Sequence, residues 1–216
     1  MILEHLPHLA SKNITLASAS PRRLQLLQLV GINPKVVTST FEETLPKSDY
    51  KSAADYAVAT SKGKALEVAE KLSDVNAPAD LVIGADTVVE IDGDILEKPA
   101  DASHAAQMLL SDQQHQVHTG TTLVLCSNGL GQGNTSKFEV HTFAETTAVH
   151  FSKLSEQEIA AYVATGECYG KAGAYGIQGA ASVFVKSIQG DYFTVMGFPL
   201  NSFAVYVADL IRQKRL

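Results

Sequence analysis

Three groups of residues in this sequence have types and spacings suited to chemistry on a phosphate. The first is the run Ser18-Ala19-Ser20-Pro21-Arg22-Arg23. Pro suits the first position of a helix, so Arg22 and Arg23 fall in its first turn, where the backbone dipole disfavours a cation by about 0.3–1 kcal/mol. An anion accounts for that placement: backbone N–H groups, Ser18, Ser20 and two guanidinium groups could all face phosphate oxygens. The plain alternative is a pair of arginines pointing into water. The second group is Asp86 with Thr87, directly after the apolar run Leu81-Val82-Ile83-Gly84-Ala85. A carboxylate emerging at such a strand end can bind a metal or activate water. Val88-Val89 continues in extended form, which weakens a helix-capping role for Asp86. Glu43 is the natural second carboxylate for a hard cation, and reads equally well as a solvated charge in an acidic loop. The third group is Lys64, Lys98 and Lys171, candidate phosphate contacts that taken singly read as solvated surface. Lys171 opens the run Lys-Ala-Gly-Ala-Tyr-Gly-Ile-Gln-Gly179, whose glycines let a backbone approach a ligand closely. Gln178 within it offers both a donor and an acceptor, as reading a base edge requires.

Other chemistries are excluded or unsupported. No G-x-x-x-x-G-K-[ST] loop is present, and no G-x-G-x-x-G follows a strand. Cys126 and Cys168 give no zinc pattern, and His115 and His118 read as turn residues assigned to no metal. The net charge of −6, from 17 basic and 23 acidic residues, argues against binding a nucleic acid polymer. It leaves room for a small polyanion held by a few convergent cations and a divalent metal. No stretch approaches the ~20 apolar residues of a membrane span. Residues 1–12 lack the pattern of a signal peptide, so reduced thiols and a cytoplasmic location are expected.

These groups must be positioned by a mixed α/β fold. Residues 14–17 read as a buried strand, 21–30 as a helix stopped by Gly31, and 36–40 as a second strand. A long helix over 52–72 opens with Ser52 and Asp55, a variant capping box, and carries Gly63 as a local weakness. The apolar run at 81–85 is a central strand, and Asp92-Gly93 is a hairpin turn. Asp101 caps a helix reaching Leu110, and 121–126 is a strand. An exposed loop is expected over 127–136, then a strand over 137–151 and a helix capped by Ser155-x-x-Glu158. Two strands are expected to flank Gln189-Gly190, and Asn201 to cap a final helix with Arg212, Lys214 and Arg215 in its last turn. No linker divides the chain, so residues 1–216 are expected to form one domain, with a core over about 14–210 and a cleft between two lobes.

Taken together the segments resemble the Maf-like family of nucleoside triphosphate pyrophosphatases. The resemblance rests on Leu16-Ala-Ser-Ala-Ser-Pro-Arg-Arg23, Gly84-Ala-Asp-Thr-Val-Val89, Leu96-Glu-Lys-Pro99, His115-x-Val-x-Thr-Gly120 and Lys171 to Gly179. It is completed by Gly190-Asp-Tyr192 with Gly197-Phe-Pro-Leu200. It implies an elongated, two-lobed, mixed-sheet fold with a central substrate cleft, like that of inosine triphosphate pyrophosphatases. It also implies cleavage of a nucleoside triphosphate between its α and β phosphates. By this resemblance Asp86 is the proton acceptor, a divalent cation (Mg²⁺ or Mn²⁺) assists, and Arg22, Thr87 and Gln178 set base specificity. The combination of Arg, Thr and Gln resembles the subgroup acting on dTTP and UTP. The chain departs from the family at Asp112, Gly170, Phe198 and a longer 127–136 loop. Ser18, Ser20 and Arg23 are then left for phosphates, and Arg22 for the base. Two other readings stay open: the same reaction on 7-methyl-GTP or a damaged purine nucleotide, and a nucleotide-binding regulator of growth or division without turnover. The sequence also leaves a homodimer open.

Overall fold

A computed structural model describes residues 1–74, 79–110, 114–126 and 137–216. The 127–136 loop, Asp112 and most of the 76–80 loop lie outside them. The helices are α1 (Leu6–Leu9), α2 (Pro21–Leu29), α3 (Ala53–Asp74), α4 (Ala102–Leu110), α5 (Glu156–Ala164), α6 (Tyr192–Met196) and α7 (Leu200–Arg212). The strands are β1 (Ile14–Leu16), β2 (Lys35–Val36), β3 (Leu81–Ile91), β4 (Asp94–Leu96), β5 (Gln114–Cys126), β6 (Phe138–Phe151) and β7 (Val185–Gln189). They form one sheet in the order β2-β1-β3-β5-β6-β7, with β4 pairing β3 off this path. β1 runs parallel to β2 and β3, and the other pairs are antiparallel. Among the described residues no helix is long and apolar enough to cross a membrane, and both cysteines are buried and free.

Alternation along β3 decides what each of its faces meets. Val82 and Val88 face α3, joining Ala65 and Val68 in one cluster and Tyr56 and Ala57 in another. On the opposite face Ile83 and Ala85 belong to a core with α2 and α7, whereas Val89 belongs to a second core with α4, α5 and the 174–184 segment. Thr87 falls between these two cores. The two lobes expected from the sequence are these two clusters, and the cleft is their seam.

Helix α3 sits so close to the sheet that two strand positions have no room for a side chain. A Cβ on Gly120 would lie 2.4 Å from the backbone of Ala57 and Val58, and one on Gly84 would lie 2.5 Å from the Ser61 carbonyl. Gly63, a weakness by helix propensity, is a third such contact: the Phe41 ring occupies the place of its Cβ.

Local signals set several boundaries. Asp92 and Gly93 take positive φ of 51° and 88°, the two-residue turn that β3 and β4 need. The Asp101 carboxylate accepts from the His104 N–H at 2.8 Å and starts α4. At α3 the expected box forms only in part: Ser52 Oγ accepts from the Asp55 N–H and donates to the Asp55 carboxylate. At α5 the box is complete, with Ser155 Oγ accepting from the Glu158 N–H and the Glu158 carboxylate accepting from the Ser155 N–H. Replacing Ser155 by Ala is expected to lower stability by about 1 kcal/mol with activity unchanged, measured by urea denaturation.

Five expectations need correction. Strand β2 stops at Val36, because Thr40 is captured by Glu67 of α3 through its N–H and hydroxyl. β3 does not end at Ala85; it runs on to Ile91 because β5 pairs it from Leu81 to Glu90 and β4 from Val89 to Ile91, whereas the parallel partner β1 pairs it only as far as Ile83. His115 and His118 lie inside β5, not in a turn: both are buried, His115 pairing with the buried Tyr175 hydroxyl and His118 with the half-buried Glu90 carboxylate of β3. The residues after Gly190 form α6, because the Asp191 carboxylate accepts from the Thr194 N–H and hydroxyl. Finally, α7 starts at Leu200 with Pro199 as its cap instead of Asn201, and Lys214 and Arg215 lie beyond its end.

Candidate active site

The edge of β3 is unpaired between the end of β1 at Ile83 and the start of β4 at Val89, and this gap opens into a cavity of about 510 Å³. The turn at 18–23 frames one side, Lys98 another, and the 169–178 segment a third. Every site residue expected from the sequence lines this cavity: Ser18, Ser20, Arg22, Arg23, Glu43, Lys64, Asp86, Thr87, Lys98, Lys171 and Gln178. A second cavity of about 370 Å³ shares Glu43, Asp86, Thr87 and Lys98, and adds Phe41 and Glu97.

On the α3 face, Asp86 is 7% exposed and Lys64 9%. The Lys64 ammonium donates to Asp86 Oδ1 at 2.7 Å and lies 3.1 Å from Glu43 Oε1, which is also 3.4 Å from the Lys98 ammonium. Burial pushes the Asp86 carboxyl above the usual aspartate range, against the pull of Lys64 and Arg23. Burial also raises Glu43, but Lys64 and Lys98 outweigh it and hold that carboxyl below its ordinary value. The two acids thus differ in basicity, Asp86 being the better proton acceptor.

On the other face, Arg23 gives three of its five N–H donors to the protein. Its Nε donates to the Gly197 carbonyl at 2.8 Å, one terminal nitrogen to Ser18 Oγ at 3.0 Å, and the other to Thr87 Oγ1 at 3.2 Å. Ser18 Oγ also accepts from the Ser20 N–H, so the turn, Thr87 and the corner after α6 are tied at one guanidinium. Arg22 is half-buried, which lowers its pKa without removing its charge. The Lys171 ammonium donates to the Glu167 carbonyl, and burial and the nearby Arg22 lower its pKa. Gln178 stands exposed at the rim. Gly170, one of the departures from the family pattern, has φ of +69° and no atom near the place of a Cβ.

The lining holds five cationic side chains against two carboxylates, a locally positive site on a protein of net charge −6. It suits a polyanion, with a buried carboxylate among its lining residues. A family model for Maf-like proteins matches residues 13–210. The chain belongs to the Maf-like family. Among its Maf-like relatives, a human protein described as a probable bifunctional dTTP/UTP pyrophosphatase/methyltransferase is 46% identical over 206 residues, 94% of this chain. The chain spans 32% of that relative's length. A dTTP/UTP pyrophosphatase of Bacillus cereus is 42% identical over 192 residues, covering 88% of this chain and 86% of that one. Another from Bacillus cytotoxicus is 44% identical over 191 residues, covering 88% and 91%. Among solved structures, a HAM1 protein from Coxiella burnetii aligns with a TM-score of 0.43 at 13% identity, over 91% of this chain and 98% of that one.

Sequence reasoning did not single out Thr119, Gly197 or Glu97. Thr119 faces Thr87 across the β3–β5 pair, the Gly197 carbonyl holds Arg23, and the Glu97 carboxylate accepts from the Tyr56 hydroxyl at 3.0 Å and pairs with Lys47 at 2.9 Å. All three lie within the quoted motifs, but only the register of β3 on β5 shows what Thr119 meets.

Proposed function

We propose that this Maf-like chain hydrolyses dTTP and UTP, and modified pyrimidine analogues, to the nucleoside monophosphate and pyrophosphate. The observation that carries the reading is a buried carboxylate of raised basicity at the floor of a cation-lined cleft, in a chain whose bacterial relatives of matching length are named dTTP/UTP pyrophosphatases. In this reading Asp86 takes a proton from water, whose oxygen bonds to the α-phosphorus as the bond from that phosphorus to the α–β bridging oxygen breaks. Pyrophosphate leaves with the electron pair. Ser18, Ser20, Lys98 and Lys171 hold phosphate oxygens, Lys64 orients Asp86, and Arg22, Thr87 and Gln178 meet the base. Arg23 serves the phosphates by holding Ser18 and the turn in place.

The donor chemistry here fits a divalent cation, Mg²⁺ or Mn²⁺. Glu43 and Asp86 converge on a single cationic point, the Lys64 ammonium, and offer only oxygen ligands. Among the described residues no group of three or more acidic, His or Cys side chains could hold a metal. Glu43 and Asp86 would hold the ion from the protein side, and substrate phosphates would supply further oxygen ligands, as is usual for Mg²⁺. When bound, the ion neutralises the phosphates and stabilises charge on the leaving pyrophosphate. Chelation with EDTA is expected to abolish turnover, and added Mg²⁺ or Mn²⁺ to restore it, followed by pyrophosphate release.

The deciding experiment is pyrophosphate release from dTTP, UTP, 7-methyl-GTP and inosine triphosphate in parallel. The first two are expected to give the highest kcat/KM. Preference for either purine would overturn the base assignment, and tight binding without pyrophosphate would make the chain a nucleotide-binding regulator.

A further inference from the structure

Thr119 is fully buried on β5, opposite Thr87 of β3. Its hydroxyl donates to the Thr194 carbonyl in α6 at 2.9 Å and lies 2.9 Å from Thr87 Oγ1. A hydroxyl has one proton to give. Thr119 spends its proton on the carbonyl, so the proton between the two threonines belongs to Thr87. Arg23, which can only donate, points a terminal N–H at the same Thr87 oxygen from 3.2 Å. The order runs one way, from Arg23 to Thr87 to Thr119 to the Thr194 carbonyl.

Both ends of this chain are anchored. The Asp191 carboxylate accepts from the Thr194 N–H and hydroxyl, and Thr147 donates to the Asp191 carbonyl at 2.9 Å. Arg23 is held by the Gly197 carbonyl, and Gly197, at φ of +106°, packs closely beside Thr87: a Cβ there would lie 3.3 Å from Thr87 Oγ1. Thr87, partly exposed between buried neighbours, thus shows the cleft a hydroxyl whose proton is already committed.

We propose that Thr119 is a positioning residue for specificity, holding the Thr87 hydroxyl as a hydrogen-bond acceptor toward a donor on the nucleobase. The N3–H of uracil or thymine is such a donor. The inference rests on the reading that Thr87 meets the base of a pyrimidine nucleoside triphosphate.

The test compares UTP with 3-methyluridine triphosphate, which lacks the N3–H, in the wild type, Thr119→Val and Thr119→Ser. The wild type is expected to prefer UTP by at least about tenfold in kcat/KM, since a site built around a hydrogen bond rejects a ligand lacking it. Thr119→Val keeps the shape and frees the Thr87 proton. It is expected to raise KM for UTP about tenfold, to lower kcat no more than about threefold, and to shrink the preference to about threefold or less. Thr119→Ser, which keeps the hydroxyl, is expected to restore the preference and KM. Should Thr119→Val fail to fold, Thr119→Cys carries the same comparison with a weaker donor.

An unchanged KM and preference in the folded Val or Cys variant would overturn the proposal. So would equal losses in Val and Ser on both nucleotides, which mark a merely structural role. A wild type that turns over UTP without preferring it to the methylated base would remove the acceptor assignment alone. A folded wild type that releases no pyrophosphate from UTP or dTTP would sink the proposed function and this inference with it.

Discussion

Replacing Asp86 by Asn is expected to lower pyrophosphate release from dTTP and UTP by at least about a thousandfold, the scale on which a positioned general base contributes. The variant should fold, because an Asn carbonyl oxygen can still accept from the Lys64 ammonium and Asn nearly matches Asp in size. What it lacks is a site for the proton. The pH profile gives an independent check with a definite sign. Burial raises the Asp86 carboxyl, so it becomes protonated at a higher pH than an ordinary aspartate. Only the deprotonated form is a base, so kcat/KM should fall as pH drops through that raised value. Removing the Lys64 charge, as in Lys64→Met, should move this acid limb further up, because the ammonium at 2.7 Å favours the carboxylate. Circular dichroism confirms the fold, and a coupled phosphate assay reads the rate. Retained turnover in Asp86→Asn would take the base role from this residue.

Replacing Gly120 by Val is expected to lower stability by at least about 3 kcal/mol, at the upper end of what overpacking does. The reason is what lies in the way. The first side-chain carbon would stand 2.4 Å from α3 backbone atoms, which cannot rotate aside as a flexible side chain would. Relief requires α3 to lift from β5, and α3 carries Lys64. Gly120 pairs with Asp86 in the sheet register, so the strain arises directly beside the candidate base. Urea denaturation should show a lower midpoint, and the fraction still folded should bind nucleotide poorly. A Gly120→Val protein with wild-type stability would mean that α3 packs less tightly than described.

Much of the fold was legible because its signals are local. Asp92-Gly93, Asp101 and the Ser155–Glu158 pair each specify a turn or cap within four residues, and the structure contains all three. The errors share a different cause. His115 and His118 look like turn residues beside a loop, yet they pair with Tyr175 and with Glu90, which are distant in sequence or on another strand. Helix α6 is too short to show a period, and only Asp191 announces it. The sheet order could not be read from any window, since β1 reaches β3 across the whole of α2 and α3.

The candidate site followed the same division. Residue types suited to phosphate and metal chemistry stood out in the sequence, and they line one cavity. Their pairings did not stand out. Lys64 reads as a phosphate contact, but its ammonium is shared between Asp86 and Glu43. Arg23 reads as a phosphate ligand, but three of its five N–H donors go to Ser18, Thr87 and Gly197. Spacing along the chain names candidates; which atom each one spends depends on the register of β3 against its neighbours.

That register bears on how such a protein can change over evolutionary time. Asp86 and Thr87 are adjacent in the chain but point to opposite faces of β3, one toward α3 and the other toward the seam between the two cores. Substitution at either position can be tolerated or selected without disturbing its neighbour's direction. Insertion or deletion of a single codon within this stretch has no such freedom, because a one-residue slip exchanges the two faces. Lineages that alter their preferred base are therefore expected to do so by point replacement at constant length between Gly84 and Val89. Length variation should collect instead in the loops joining the strands.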